Sequence, residues 1–234
     1  MTRLATPTCQ NCSSCRHNLL NCCTTADIDI IAQAKTSQHY VAGQTIFAEG
    51  TRSAGLYCVH QGKIKITKSG GDGKEQILRL GKAGDVLGYR ALVADTPHTT
   101  SAVALSDCLV CLIPKRVLSV QMGSNPQFSS ALLHLLAEAL STNAARMLHL
   151  AYKPVRERLA EALLLQSTYR AEGDAQPFTI AISREDLGTL MGTTKETTTR
   201  MLSEFKHEEM LTTRGSAITI LAPRQLVAIA TQFD

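Results

Sequence analysis

The chain has 234 residues, a formal net charge of +4 and 44% hydrophobic residues, which suffices for two domains of ordinary size, each with its own core. No run of about eighteen apolar residues occurs and the N-terminus lacks the apolar stretch of a secretory signal, so we expect a cytoplasmic protein without a membrane partner. In that compartment the eight cysteines are expected to be thiols or metal ligands and not a disulfide framework.

A cysteine-rich leader opens the chain. Cys9, Cys12 and Cys15 follow one another at equal intervals, and a cysteine pair begins at Cys22. Closely spaced cysteines can bind one metal centre, because a loop can direct several sulfurs inward. One interpretation is a structural zinc held by the first three cysteines and either His17 or Cys22. Another is a leader that binds no metal.

The next hundred residues consist of short apolar runs separated by glycines. Residues 56–59, 63–67 and 75–80 are strand-like, and the last two of these segments alternate in polarity across a glycine-rich turn. Many short strands at such spacing predict an antiparallel β-roll or jelly roll. Cys58 and Cys108 fall on such strands, and we interpret them as small core residues.

Pro126 begins a long helical segment with the spacing of a coiled-coil seam. Such a seam predicts a parallel homodimer, and a single asparagine in it is typical of two-stranded coiled coils. Packing of the helix against its own β-roll is the alternative. Since Asn143 is uncharged and does not repel its twin, we expect dimerisation even without a bound cofactor. The expected seam residues are Leu133, Leu136, Leu140, Asn143, Met147 and Leu150.

Two short helices are indicated near the C-terminus, after a hinge at Pro154 and a further helix over about residues 155–170. Ser183 and Asp186 resemble a capping box at the start of the first, and Thr193 and Glu196 fit the same box at the start of the second. The glycine that precedes the second box permits a sharp reversal between them. This order predicts a helix-turn-helix.

The second helix begins with side chains that can contact DNA. Lys195, Glu196, Thr199 and Arg200 can donate to or accept from base edges and phosphates. A short strand, a glycine turn and an alternating strand follow, which is the order of a winged helix, and Arg214 would lie at the wing tip. We therefore expect double-stranded DNA as a partner.

These segments combine into an α+β fold. An N-terminal antiparallel β-roll or jelly-roll sensor domain would precede a long coiled-coil dimerisation helix and a C-terminal winged helix-turn-helix domain. The expected boundaries are 1–25 for the leader, 26–125 for the sensor domain, 126–152 for the dimerisation helix and hinge, and 153–234 for the DNA-binding domain.

In this order of parts the chain resembles the Crp-Fnr family of bacterial transcription regulators. The most specific matches are the Gly-x-x-Gly-Asp-x-x-Gly run at 81–88, the Arg-Glu-Arg-Leu segment at 156–159 and the pair Glu196 and Arg200. The resemblance implies a dimeric, sequence-specific regulator that binds a palindromic promoter site, works with RNA polymerase and senses its signal in the N-terminal domain.

The resemblance also assigns contacts within the DNA-binding domain. It implies that Glu196 and Arg200 read a TG-containing half-site, since glutamate accepts from cytosine and arginine donates to guanine. Arg184 and Thr194 match phosphate-contacting positions, which set the register on the duplex. Thr193 is also expected among the residues that bind DNA.

Members of the family that bind cyclic nucleotides use a Gly-Glu-Leu turn and an Arg-Ser/Thr-Ala segment. Here Gly88, Tyr89 and Arg90 stand at the turn, and Thr99 and Thr100 stand in the second segment. Tyrosine replaces the ribose-binding glutamate and a threonine replaces the phosphate-binding arginine. We therefore expect a degenerate effector pocket, in which Arg90 could bind phosphate only from a shifted position.

Oxygen-sensing members hold a [4Fe–4S] cluster by three leader cysteines and one cysteine of the β-roll, and their leader begins with Cys-Gln-Asp-Cys-Ser. The resemblance implies that Cys9, Cys12 and Cys111 are ligands of such a cluster. The third leader ligand is open between Cys15 and Cys22, since neither reproduces the family spacing. A zinc ion or an unknown small ligand is the alternative input.

Other classes of protein find less support. Metal-dependent cupin enzymes need clustered histidine and glutamate ligands on their strands, but His39, His60 and His98 are widely spaced. The chain also lacks a Walker-type loop and a GxGxxG motif. We expect no enzymatic activity, and a dimeric scaffold that does not bind DNA is the remaining alternative.

Overall fold

The computed structural model describes residues 8–9, 12, 19–71, 73–167 and 178–233. The chain divides into two compact units, one formed by Met1–Gly73 with Leu78–Ser141 and the other by Lys74–Ile77 with Thr142–Asp234. The division falls inside the long helix, so that its first half belongs to the β-roll and its second half to the C-terminal unit. Within the described ranges, no helix combines the length and the apolar character needed to cross a membrane.

Eight described strands belong to the β-roll, and the fifth of them has its first residues in the second unit. They are β1 Thr36–Tyr40, β2 Thr45–Phe47, β3 Gly55–Gln61, β4 Lys63–Ser69, β5 Glu75–Lys82, β6 Val86–Leu87, β7 Ser101–Ala104 and β8 Cys108–Pro114. The described helices that accompany them are α1 Thr25–Ala34, α2 Tyr89–Ala94, α3 Lys115–Ser124 and the beginning of α4 Pro126–Tyr152. Short strands and connections of this kind fit the spacing of glycines along the sequence.

The strands form two four-stranded sheets, in the orders β1-β8-β3-β6 and β2-β7-β4-β5. A buried core lies between them, because Val59 and Val110 of the first sheet belong to the same cluster as Ile64 and Ala102 of the second. The predicted β-roll is therefore confirmed. Cys58 and Cys108 are buried on its strands, with 4% and 1% of their surfaces exposed, as expected for core cysteines.

A second apolar cluster covers the outer side of the β3 and β8 sheet. It joins Leu56 and Ile113 of the strands to Ile31 of α1, Leu118 of α3 and Phe128 of α4. Helices α1 and α3, which the sequence reasoning did not predict, and the start of α4 bury the face of the sheet that an isolated roll would expose to water. The same cluster contains Cys9, Cys58 and Cys111.

Helix α4 begins at Pro126 and ends at Tyr152, as predicted. Proline suits the first helical position, because that residue needs no N–H donor. Of the expected seam residues, Leu133, Leu140 and Met147 have 65%, 72% and 71% of their surfaces exposed. Asn143 is exposed as well, whereas Leu136 and Leu150 are half-buried. Most of the seam thus forms an apolar stripe on the single chain.

The second unit is a small helical domain with a three-stranded sheet in the order β10-β11-β9. Its described elements are α5 Val155–Ser167, β9 Phe178–Ala181, α6 Arg184–Met191, α7 Lys195–His207, β10 Leu211–Arg214, β11 Ala217–Ile220 and α8 Pro223–Ala230. The predicted winged helix-turn-helix is confirmed, with β9 as a third strand that the sequence reasoning did not foresee.

Candidate nucleic-acid interface and cysteine site

Helices α6 and α7 form a tight helix-turn-helix that depends on two glycines. Gly192 ends α6 in the left-handed region, with φ at +66°, where glycine carries no steric penalty. Gly188 lies at the crossing of the helices, since a Cβ atom built there would lie only 2.9 Å from Thr198 Oγ1 and 3.0 Å from the Thr193 carbonyl oxygen. The absence of a side chain therefore sets the distance between the two helices.

The N-cap of α7 differs from the sequence-based expectation. Thr194, not Thr193, caps the helix, and its hydroxyl accepts a hydrogen bond from the Thr197 amide at 3.2 Å. The Thr193 amide donates instead to the Gly188 carbonyl at 2.9 Å. Thr193 thus belongs to the turn that closes α6, and the chain enters α7 one residue later. The expected Thr193–Glu196 capping box was wrong.

At the start of α6 one half of the expected box forms. The Ser183 hydroxyl accepts from the Asp186 amide at 2.9 Å and donates to the Asp186 carboxylate at 2.8 Å. Asp186 thereby supports the cap through its own side chain, as an acidic residue in the first turn of a helix does.

The first turns of α7 present a polar surface to solvent. Lys195, Glu196, Thr199 and Arg200 are all exposed, and they share one face of the helix because they recur three and four residues apart. The opposite face is buried, since Thr198, Leu202 and Phe205 have at most 2% of their surfaces exposed. A helix held by one face and polar on the other can enter a major groove.

The wing lies beside this helix-turn-helix. β10 and β11 pair around Gly215, whose φ is +58°, and Arg214 is exposed at the end of β10 as predicted. Arg184 is partly buried, and its guanidinium donates to the Gly215 carbonyl at 3.0 Å. Burial lowers the pKa of Arg184. Arg184 therefore ties the start of α6 to the wing tip, a role that its sequence position did not indicate.

Three arginines make contacts within this domain that the sequence did not reveal. Arg156 of α5 donates to both carboxylate oxygens of Glu208, at 2.9 and 2.6 Å, and its guanidinium lies 4.8 Å from the centre of the Phe205 ring. The Arg158 guanidinium donates to the Met191 carbonyl at 2.7 Å and Arg146 to the Leu190 carbonyl at 2.6 Å. Arg158 and Arg146 thereby satisfy carbonyls at the end of α6 that no helical N–H can reach.

The region of the expected effector pocket is occupied by aromatic side chains. Phe47 stacks on His98 with ring centres 4.1 Å apart, and Tyr57 lies 5.0 Å from Phe47. Gly88 backs onto this group, since a Cβ atom there would lie 3.2 Å from the Tyr57 ring. Burial lowers the pKa of His98.

The polar residues expected in that pocket face other surroundings. Tyr89 is buried in the outer cluster, with 7% of its surface exposed. Arg90 and Thr99 are exposed, and Thr100 is half-buried. The Arg90 side chain therefore extends into solvent from the first turn of α2, and the assignment of these residues to an effector stays a prediction.

The cysteines of the leader and the roll come together around Cys58. Cys9 and Cys12 are buried, each with 5% of its surface exposed. Burial and, after it, the neighbouring thiols of Cys111, Cys9 and Cys12 raise the pKa of Cys58. The Cys12 sulfur contacts His60 Nδ1 at 3.3 Å. Two leader cysteines thus pack against the strands that carry two others.

Cys111 lies at the polar border of this group. Its sulfur is 3.4 Å from the Ser37 hydroxyl and accepts from the Lys35 ammonium at 3.8 Å. The donor set is entirely sulfur, which suits zinc or an iron–sulfur centre and does not suit Mg²⁺ or Ca²⁺. In the part of the chain that the structure describes, no three His, Cys, Asp or Glu side chains are already arranged to hold a metal ion.

The other expected leader ligands are placed differently. Cys15 lies outside the described residues. The Cys22 thiol donates to the Leu19 carbonyl at 3.1 Å. The adjacent Cys23 is half-buried, and burial together with Cys22 and Asp27 raises its pKa to about 12. Sequence reasoning missed the position of Cys58, because only the pairing of β3 with β8 brings it opposite Cys111.

Comparison with known proteins agrees with this architecture. The sequence matches a cyclic nucleotide-binding domain over residues 37–125 and a Crp-like helix-turn-helix domain over residues 157–229. The fumarate and nitrate reduction regulatory protein of Vibrio cholerae is 32% identical over 95% of this chain and 90% of its own length. The transcriptional activator protein Anr of Pseudomonas protegens is 28% identical, with coverage of 95% and 92%. The structure of FixK2 from Bradyrhizobium japonicum superimposes with a TM-score of 0.74 at 28% identity, covering 83% of this chain and 96% of that one.

Proposed function

The chain belongs to the Crp-Fnr family of DNA-binding transcription regulators, and from this premise we propose that it acts as a homodimer on a palindromic promoter site under the control of its cysteine-rich sensor. The observation that carries the proposal is the polar face of α7, with Glu196 and Arg200 exposed beside the wing. Sequence readout requires side chains of this kind on a helix that packs by its other face.

Base readout falls to two side chains of opposite charge. Glu196 accepts from a cytosine amino group, and Arg200 donates to guanine through two parallel hydrogen bonds. Lys195, Thr199 and the wing residue Arg214 contact the phosphate backbone or neighbouring bases. Such phosphate contacts supply affinity and register without carrying sequence information.

The exposed stripe on α4 supports the homodimer. Leu133, Leu140 and Met147 would be covered by the same residues of a second chain, which removes large apolar side chains from water. Asn143 would pair with its twin across the seam. Two DNA-binding domains related by a twofold axis match a palindromic site, from which the dimer acts on RNA polymerase.

An iron–sulfur cluster is the input that we propose for the sensor. Cys9, Cys12 and Cys111 would hold it together with a further cysteine, because sulfur donors in buried surroundings suit such clusters. When bound, the cluster supplies a redox-sensitive centre. Relatives named for fumarate and nitrate reduction and for anaerobic regulation support an input linked to oxygen supply.

A gel-shift experiment under strict anaerobiosis tests the proposal. The full chain is offered genomic promoter fragments in competition with random duplex, before and after exposure to air. We expect selective retention of fragments with palindromic half-sites and loss of that selectivity in air. Equal binding of promoter and random fragments would contradict sequence-specific regulation, whereas selective binding that air does not alter would contradict only the proposed cluster.

A further inference from the structure

The pairing of β3 with β8 places Cys58 directly opposite Cys111. Residues opposite one another on antiparallel strands project from the same face of the sheet, with Cα atoms about 4.5–5.5 Å apart. Both side chains enter the outer apolar cluster, with 4% and 7% of their surfaces exposed. Two buried thiols are therefore side by side on a rigid part of the fold.

Two thiols of the leader pack near this pair. Cys9 belongs to the same buried cluster, and Cys12 contacts His60, which follows Cys58 on the same strand by two residues. Loops usually run over the surface with their polar groups in water. Burial of both leader cysteines beside Cys58 thus groups four thiols at one place on the sheet.

We propose that Cys58 is the fourth thiolate of the metal centre, together with Cys9, Cys12 and Cys111, so that two ligands come from the leader and two from the β-roll. This inference rests on the proposed cluster but specifies a ligand that the leader spacing does not supply. Each thiol loses its proton to solvent when its sulfur binds the metal.

The contacts around the group show what metal binding must rearrange. Cys12 is held toward His60, and Cys111 toward Ser37 and Lys35. A metal would draw both sulfurs away from these partners and toward Cys58. The Lys35 ammonium lies close enough to offset part of the negative charge that four thiolates bring.

Cys22 is a weaker candidate for the same position. Its thiol donates to the Leu19 carbonyl within a short 3₁₀ helix, Leu19–Cys22. It is also only partly buried, at the border of the cluster that contains Cys58. A ligand on a strand is held more precisely than one on a loop, which favours Cys58 as the partner of Cys111.

The test compares single variants of the full chain, purified and reconstituted with iron and sulfide without oxygen. Cys58→Ala and the isosteric Cys58→Ser remove the proposed ligand. Cys108→Ala is the matched control, because Cys108 is equally buried on a neighbouring strand but lies in the inner core. Cys15→Ser and Cys22→Ser test the leader alternatives. Iron and sulfide content, visible absorbance and thermal unfolding are measured for each.

We expect both Cys58 variants to lose most of the iron and sulfide, while Cys108→Ala, Cys15→Ser and Cys22→Ser retain wild-type amounts. A Cys58 variant that folds and keeps a full complement of iron overturns the inference but leaves the proposed cluster intact. Titration with Co²⁺ tests the proposed ligand Cys58 separately from the proposed cluster, because sulfur-to-cobalt absorbance reports thiolate ligands in protein that holds no cluster. If Cys58 is a ligand, the absorbance should fall by about a quarter in Cys58→Ala, because four thiolate ligands are reduced to three. That result supports Cys58 even if the wild type assembles no iron–sulfur centre. Unchanged absorbance refutes the assignment of Cys58 as a ligand.

Discussion

Arg200 is the residue on which sequence readout most directly depends. Its side chain is exposed on the polar face of α7 and can donate two parallel hydrogen bonds to guanine. We expect Arg200→Ala to weaken binding at a specific site by about 1–3 kcal/mol, which is the contribution of one bidentate contact. Titration of a fluorescent promoter duplex and of a duplex with the guanine replaced would measure the loss. An equal loss on both would show that Arg200 does not read the base.

Arg214→Ala is the matched control for that measurement, since it removes the same guanidinium from the wing tip. A phosphate contact contributes without regard to sequence, so its loss should weaken specific and random duplexes alike. It should also reduce the slope of log affinity against log salt by about one. A selective effect on the specific duplex would instead assign base readout to the wing.

A buried histidine, His98, and a half-buried one, His60, make the stability of the β-roll depend on pH. Burial lowers the pKa of His98, and burial with nearby Lys35 lowers that of His60, from an ordinary value of 6.5. Below that value the unfolded chain binds protons that the folded chain does not, so the free energy of unfolding falls as the pH decreases. Urea unfolding at pH 7.5 and 5.5 should show this loss, and His98→Phe should reduce it. A stability that does not change between these pH values would contradict the prediction.

Residue-level roles could be predicted from the sequence where they depend on local spacing. The exposed face of α7 follows from helical periodicity, so Glu196 and Arg200 were identified correctly as exposed residues of that helix. The position of Cys58 beside Cys111 depends on the register between β3 and β8, two strands that are far apart in the sequence. Arg184 was placed on the helix-turn-helix, but its bond to the wing required the tertiary structure.

At the level of elements, the N-cap of α7 offers a direct test of the helix boundary. The Thr194 hydroxyl accepts a hydrogen bond from the Thr197 amide, whereas the Thr193 amide donates to the Gly188 carbonyl in the preceding turn. We expect Thr194→Ala to destabilise the C-terminal unit by about 1 kcal/mol, the usual value for a lost cap. Thr193→Ala removes the same hydroxyl and methyl group one residue earlier and should cost less. Amide hydrogen exchange in α7 would compare them, and a greater loss of protection in Thr193→Ala would restore the earlier boundary.

The elements that the sequence predicted are those with a strong local signal. The long helix α4 has an unbroken apolar period, and the strands of the roll are marked by glycines. Helices α1 and α3 were missed because their apolar residues are few and their stability comes from packing against the β3 and β8 sheet. Strand β9 was missed because it acquires its place only by pairing with β11.

At the scale of the whole molecule, the apolar stripe on α4 predicts how chains associate. Leu140 has 72% of its surface exposed in the single chain, and Leu148, off the seam on the same helix, has 49%. Leu140→Glu should raise the dimer Kd by about a hundredfold or more, since it removes two buried leucines worth about 1.5–3 kcal/mol each and opposes two carboxylates. Leu148→Glu should change it little. Sedimentation equilibrium of both variants would decide, and equal dissociation constants would place the interface elsewhere.

The same seam determines whether dimerisation depends on the signal. Asn143 is uncharged and exposed on α4, so two chains can approach along the stripe without repulsion between the twin residues, and the paired amides can fix their register. We therefore expect the protein without metal to remain dimeric at micromolar concentration, with signalling acting on a dimer that already exists. Light scattering of chelator-treated chain measures its mass, and Asn143→Asp, which places two like charges in the seam, should shift that mass toward the monomer. A monomeric wild type after metal removal would show that the cofactor assembles the dimer.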